Sequence, residues 1–161
     1  MIKNQIIEHK LKNISIINIQ EDSMKIREIL DKLDIEYYER SGDNEYIYYG
    51  KIKYGNSILP IVIIEDIDCN LLFFKSFAIP ANGKRKGEIF KLLNYTNSQS
   101  IYGTVYLDEE NDILYDIVIV GEKNREYKFE TIQEYVDYFT HKVVELIEQL
   151  DDKRLLELDE E

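Results

Sequence analysis

The feature that most constrains this chain is a succession of four strand-like segments separated only by short turns. Residues 35–40 lead to Ser41-Gly42-Asp43-Asn44, and residues 45–54 lead to Gly55-Asn56-Ser57. Residues 58–67 run into Asp66-Ile67-Asp68-Cys69-Asn70, after which residues 71–79 form the fourth segment. Tyrosine and β-branched residues dominate these segments, as they do in strands. Pro60 stands near the start of the third, where a missing backbone donor is tolerated. Turns this short close antiparallel hairpins, because a parallel pair needs a crossover of a dozen or more residues. The pattern therefore predicts an antiparallel meander.

Helical spacing brackets the meander. Asp22 or Ser23 can cap a helix over about residues 23–34, with Ile26, Ile29, Leu30 and Leu33 on one face. Pro80-Ala81-Asn82-Gly83 breaks the strand pattern, and Ile89, Phe90, Leu92, Leu93 and Thr96 then predict a helix over about 85–97. A second hairpin follows, residues 101–107 and 113–120, around Asp108-Glu109-Glu110-Asn111-Asp112. Thr131 and Glu134 fit a capping box. The stripe from Ile132 through Tyr135, Val136, Phe139, Val143, Leu146 and Ile147 to Leu150 predicts a helix from 132 to about 150. Strands segregated from helices point to an α+β fold, an antiparallel sheet with helices packed on one face, in the order α-β-β-β-β-α-β-β-α. Residues 1–20 fit two patterns: Ile6, Ile7, Leu11 and Ile14 suit a short helix, while Ile14, Ile16 and Ile17 suit a strand. With two prolines, seven glycines and no repeat or composition break, residues 1–161 read as one domain ending in an acidic tail over 151–161.

Charge narrows the partners. A net charge of −12 repels phosphate backbones and anionic lipid, so neither a nucleic-acid nor a membrane partner is expected. No stretch reaches the ~18–20 apolar residues of a membrane span. Residues 1–20 lack the uninterrupted apolar run and small-residue cleavage site of a signal peptide. The single cysteine, Cys69, cannot form an internal disulfide. A cytoplasmic location is the resulting expectation.

The familiar chemistries are not signalled. His9 and His141 have no second His or Cys at ligand spacing, so no metal site is expected. A calcium loop beginning at Asp108 would need Gly at Ile113 and Glu at Ile119. Lys84-Arg85-Lys86 lacks the ending of a phosphate loop and reads as an exposed basic turn. Cys69 lies beside Asp66 and Asp68, whose charge disfavours a thiolate nucleophile. Nucleophile-elbow, dinucleotide and kinase signatures are absent. Neither a cofactor nor a catalytic residue is therefore expected.

The strand faces carry the functional reading. In the second hairpin, Ile101, Val105 and Leu107 share one face, and Ile113, Tyr115, Ile117 and Ile119 share one on the partner strand. These suit a core. The opposite faces carry Tyr102, Thr104, Tyr106, Leu114, Val118 and Val120, a set too apolar for a plain solvent face. The chain's own third helix or N-terminal segment can cover it, or another chain can. Two-fold dimers are the commonest oligomers, which leans the expectation toward a homodimer. The thirteen tyrosines suit contact surfaces as well as strands.

Four stretches resemble the YbjN-like domain family, whose fold is similar to that of type III secretion chaperones. Residues 26–38, IREILDKLDIEYY, look like its opening helix and first strand. Residues 88–97, EIFKLLNYTN, look like its Leu-Asn-x-x-Asn helix, with Leu93, Asn94 and Asn97 in the matching places. Residues 103–108, GTVYLD, look like its late hairpin, and residues 131–150 like its closing helix. The resemblance spans roughly residues 23–150 and implies no enzyme activity. By analogy with secretion chaperones it implies a dimer that binds extended or partly folded polypeptide.

The leading expectation is a non-catalytic protein-binding module, chaperone-like or regulatory, with a protein partner. The alternative is an acidic, immunity-type inhibitor of a basic partner, steered by charge. An enzyme using surface carboxylates is the third reading.

Overall fold

A computed structural model of the chain describes residues 23–156. The two competing patterns of residues 1–20 and the last five residues of the acidic tail lie outside the described residues. The elements are β1 (Ser23–Met24), α1 (Ile26–Lys32), β2 (Glu36–Ser41), β3 (Glu45–Tyr54), β4 (Ser57–Asp66), β5 (Leu71–Ser76) and β6 (Ile79–Pro80). A 3₁₀ turn (Gly83–Arg85) then leads into α2 (Lys86–Gln99), β7 (Thr104–Leu107), β8 (Asp112–Val120), β9 (Tyr127–Lys128) and α3 (Phe129–Asp152).

The meander is present as β2-β3-β4-β5, and every strand pairing is antiparallel. The second hairpin docks through β8 on β5, and β7 forms the far edge. The segment expected as one strand over 71–79 is divided. Lys75 pairs with Asp116 and Ile79 with Ile113, so residues 76–78 oppose only Leu114 and Tyr115. That extra residue is a β-bulge. Buried Ser76 bridges the break: its Oγ accepts the Tyr115 N–H at 2.8 Å.

One face of the sheet is the core. Tyr48, Ile61, Ile63, Leu72, Phe74 and Ile117 are buried there against the α3 stripe, which buries Ile132, Val136, Phe139, Val143, Leu146 and Leu150. Phe74 stacks on Tyr135 at 5.8 Å, and Tyr115 lies 5.7 Å from Phe139. The α1 helix packs on α3, and α2 packs on β7. Burying each large aliphatic side chain contributes about 1.5–3 kcal/mol, so this layer dominates the stability of the fold.

Three local expectations are corrected. The first helix starts at Ile26 because Ser23 and Met24 pair with Lys128 and Tyr127. Its free end is served by Glu28, which accepts the Lys25 N–H at 2.8 Å. The capping box at Thr131 is not used, because α3 begins two residues earlier at Phe129. Glu134 instead accepts from the Tyr102 hydroxyl at 3.1 Å. Ile101 does not join Val105 on the core face. It is 79% exposed, because β7 starts only after Gly103, whose φ of +76° turns the chain. A Cβ at Gly103 would stand 2.6 Å from the Asp116 carbonyl oxygen, so only glycine fits.

Candidate binding face

Strand alternation fixes what lies on the other face. Residues paired across strands share a side of the sheet. The pairs Tyr38↔Tyr49, Ile47↔Ile64, Ile64↔Phe73, Phe73↔Val118 and Tyr106↔Leu114 therefore form one outer surface. None of these residues is fully buried, whereas Ile63 and Glu65 on β4, Leu72 and Phe74 on β5, and Ile113, Tyr115 and Ile117 on β8 are. Val118 is 49% exposed and Val120 76% exposed. Among the described residues, every helix lies on the opposite side.

The outer face brings together five of the six residues singled out from the sequence. Thr104, Tyr106, Leu114, Val118 and Val120 lie on it, continuous with β4 and β5. Tyr102 stands apart. It precedes Gly103, and its ring sits 5.1 Å from both Tyr135 and Tyr138 of α3, on the core side. Burial parity in the meander adds Val62, Ile64, Leu71 and Phe73, which sequence reasoning had left unassigned to a side.

A small polar group sits within this apolar surface. Asp116 Oδ2 accepts from Lys75 Nζ at 2.8 Å and from the Tyr106 hydroxyl at 2.8 Å. Lys75 also lies 5.7 Å from the Phe73 ring centroid. Burial, and then the Asp116 hydrogen bond, push the Tyr106 phenol up to about 12. Around it the charges nearly balance. Arg40, Lys51, Lys53 and Lys75 stand against Glu36, Glu45, Asp66, Asp112 and Asp116. The face is thus close to neutral on a chain of −12. Much of the excess lies on α3, which carries seven carboxylates and one lysine.

The other polar clusters are already engaged. Glu65, 2% exposed, faces the core side at the end of β4. Its carboxylate accepts from Arg125 Nη2 at 2.6 Å and from the hydroxyls of Tyr48 and Tyr127, each at 3.1 Å. Burial first, and the Glu65 charge second, hold both phenols well above the ordinary tyrosine value. The arrangement ties the loop after β8 to the sheet. Of the basic cluster, Arg85 bonds Glu88 at 2.6 Å and the carbonyls of Lys153 and Arg154 at 2.6 and 3.0 Å, clamping the end of α3. Asp108 Oδ1 accepts the N–H groups of Glu110 and Asp112, both at 2.9 Å, as the acceptor of its own turn. The exposed Cys69 thiol is pushed up, first by the charge of Asp66.

Besides a small cleft of about 160 Å³ beside Glu65, Arg125 and Tyr127, whose hydrogen bonds hold one another, two larger grooves occur among the described residues. A groove of about 600 Å³ between α2 and α3 mixes Glu88, Lys91, Asp152 and Lys153 with Leu92 and Tyr95. A second, of about 340 Å³, is lined mainly by apolar residues at the β5–β6 bulge and α3, including Phe77, Val143 and Ile147. Among the described residues, no three His, Cys, Asp or Glu side chains come together as a metal group. No helix among them is long and apolar enough to cross a membrane.

Comparison with known proteins adds a family. The model of the YbjN family, described as "putative bacterial sensory transduction regulator", matches residues 23–152. Among curated proteins, none matches the chain. One solved structure that matches is described as "Crystal structure of YbjN, a putative transcription regulator from E. coli". It aligns with a TM-score of 0.60 at 14% identity, covering 83% of this chain and 93% of that one. At that identity the likeness concerns the fold.

Proposed function

This chain belongs to the YbjN family, and from that premise we propose that it is a non-catalytic regulator that binds another protein through the outer face of its sheet. One observation carries the reading: apolar side chains continue across β3, β4, β5 and β8 on a face that none of the described helices covers. Contiguous exposed apolar surface of this kind marks contact sites. Tyrosines at its margins fit the same use, since the ring buries area while the hydroxyl stays wet.

The charge distribution favours a partner with an apolar surface. A basic protein or a nucleic acid would meet a near-neutral surface here, and the acidic field of the chain repels phosphate. An acidic inhibitor would instead present its carboxylates, which concentrate on α3. The convergent polar cluster around Glu65 is spent on its own internal hydrogen bonds, which supports a role without catalysis. The lone exposed thiol of Cys69 suits a reducing cytoplasm.

Site-specific photocrosslinking in cells tests this. A crosslinker at Val118 should capture discrete protein partners that one at Glu148, on the exposed side of α3, does not. Phe73→Glu should abolish the Val118 products at unchanged fold. Identical products at both positions would remove the outer face as the binding site. Capture that collapses with rising salt would favour the charge-driven inhibitor.

A further inference from the structure

We propose that one occupant of the outer face is a second copy of this chain, stacked sheet to sheet; this rests on the reading of that face as a binding surface. Two copies of a chain carrying −12 repel one another over most of their surface. The outer face lowers that repulsion, because its cations and carboxylates nearly balance. It also carries both signs at separated places, so a two-fold arrangement can set each charge against its opposite.

Register locates those places. Lys53 pairs with Ile58, three residues before Ile61, and Ile61 pairs with Ser76. Asp112 stands three residues before Tyr115, whose N–H is held by Ser76. The β4 and β8 strands run in the same direction, so Lys53 and Asp112 lie at one end of the sheet, on opposite flanks. Glu45 lies at the other end of β3. Among the described residues, Lys53, Asp112 and Glu45 have no side-chain ionic partner. A two-fold axis along the strands sets Lys53 over the second copy's acidic β8 end, where Asp112 stands. A two-fold axis across the strands sets it over the acidic start of β3, where Glu45 stands. Either way the apolar middle, with Val62, Ile64 and Phe73, meets its own image.

Area is sufficient. Six strands about 4.8 Å apart and about 25 Å long present roughly 600 Å² of flat footprint. A standard interface removes about 800 Å² of accessible surface per partner, and side-chain relief raises the footprint toward that value. Sheets packed face to face keep their strands within about 30° of one another, which preserves the register pairing just described.

The test is sedimentation equilibrium of the full chain with charge-reversed variants. Wild type should sediment as a dimer, and Val118→Glu as a monomer with an unchanged circular dichroism spectrum. Lys53→Glu should weaken the dimer roughly tenfold, because the two-fold axis makes the repulsion count twice. Mixing Lys53→Glu with Asp112→Lys restores dimerisation if the axis runs along the strands. Mixing it with Glu45→Lys restores it if the axis runs across them. A monomeric wild type, a dimer indifferent to Val118→Glu, or failure of both mixtures overturns the proposal. A monomeric wild type that still crosslinks other proteins at Val118 sinks self-association while leaving the regulatory reading intact. Loss of both removes the binding face altogether.

Discussion

The two faces of one sheet obey different rules. On the inner face a polar group is admitted only with its partners supplied. Glu65 has Arg125 and two tyrosine hydroxyls, and Ser76 holds the backbone N–H that the bulge would otherwise leave free. On the outer face, apolar side chains of similar size are left half-exposed around a single ion pair. Adjacent residues of one strand fall on the two sides, so composition alone does not separate them. Burial by α3 does. The inner side chains hold the fold together, and the outer ones contribute little to the described core.

The sharpest way to break that comparison is a matched pair of truncations. Phe74→Ala removes a ring sealed between the sheet and Tyr135 and should cost about 3–5 kcal/mol. Phe73→Ala, its neighbour on β5, should cost less than about 1.5 kcal/mol in the monomer. Urea unfolding at low protein concentration measures both. Equal losses would mean the outer face is a second core.

Glu65→Ala should come next, at about 3 kcal/mol, because it leaves a guanidinium and two phenols without their acceptor. The loss should appear first as faster hydrogen exchange around Arg125 and Tyr127, in the loop the carboxylate holds. An undisturbed loop would show that β9 is anchored by its pairing with β1 alone. A smaller effect is expected from Asn97→Ala. The Asn97 amide donates to the Val105 carbonyl at 2.9 Å and its oxygen accepts the Val105 N–H at 2.8 Å, like a further strand. Removing it should cost about 1–2 kcal/mol and unprotect the outer edge of β7. Unchanged exchange at Val105 would show the edge is sealed by α2 packing instead.

Much of this was legible in the sequence, and the reasons are local. Turn residues at Gly42, Gly55 and Asn70 announced the meander, and the 3.6-residue stripe ending at Leu150 announced α3. Asn97 stands in the Leu-Asn-x-x-Asn stretch that carries the family resemblance, although its target, an edge strand eight residues on, depends on tertiary placement. The Glu65 site was missed, yet a signal existed. Ile61, Ile63 and Glu65 alternate inward along β4, and a carboxylate at an inward position demands partners. Those partners, 17 and 60 to 62 residues away, cannot be read from spacing. The misplacement of Tyr102 has one cause. Period-two reasoning ran through Gly103, whose left-handed backbone resets the alternation.

The smallest effect concerns the polar group within the outer face. At neutral pH, Tyr106→Phe should change stability by less than about 1 kcal/mol, since one partly exposed hydrogen bond to Asp116 is lost. Its signature lies in alkali. The folded phenol is raised to about 12 from an ordinary 10.0, so the folded state holds the proton more tightly than the unfolded chain. That contribution is complete below pH 10.0 and disappears as the pH climbs through about 12. The Tyr48, Tyr115 and Tyr127 phenols are also raised, by burial first, so wild type should lose stability steeply in alkali. Tyr106→Phe should make that descent shallower between pH 10 and 12. Parallel unfolding curves for variant and wild type would show that neither burial nor Asp116 holds this proton, leaving the pairing of Asp116 with Lys75 to stand alone on the face.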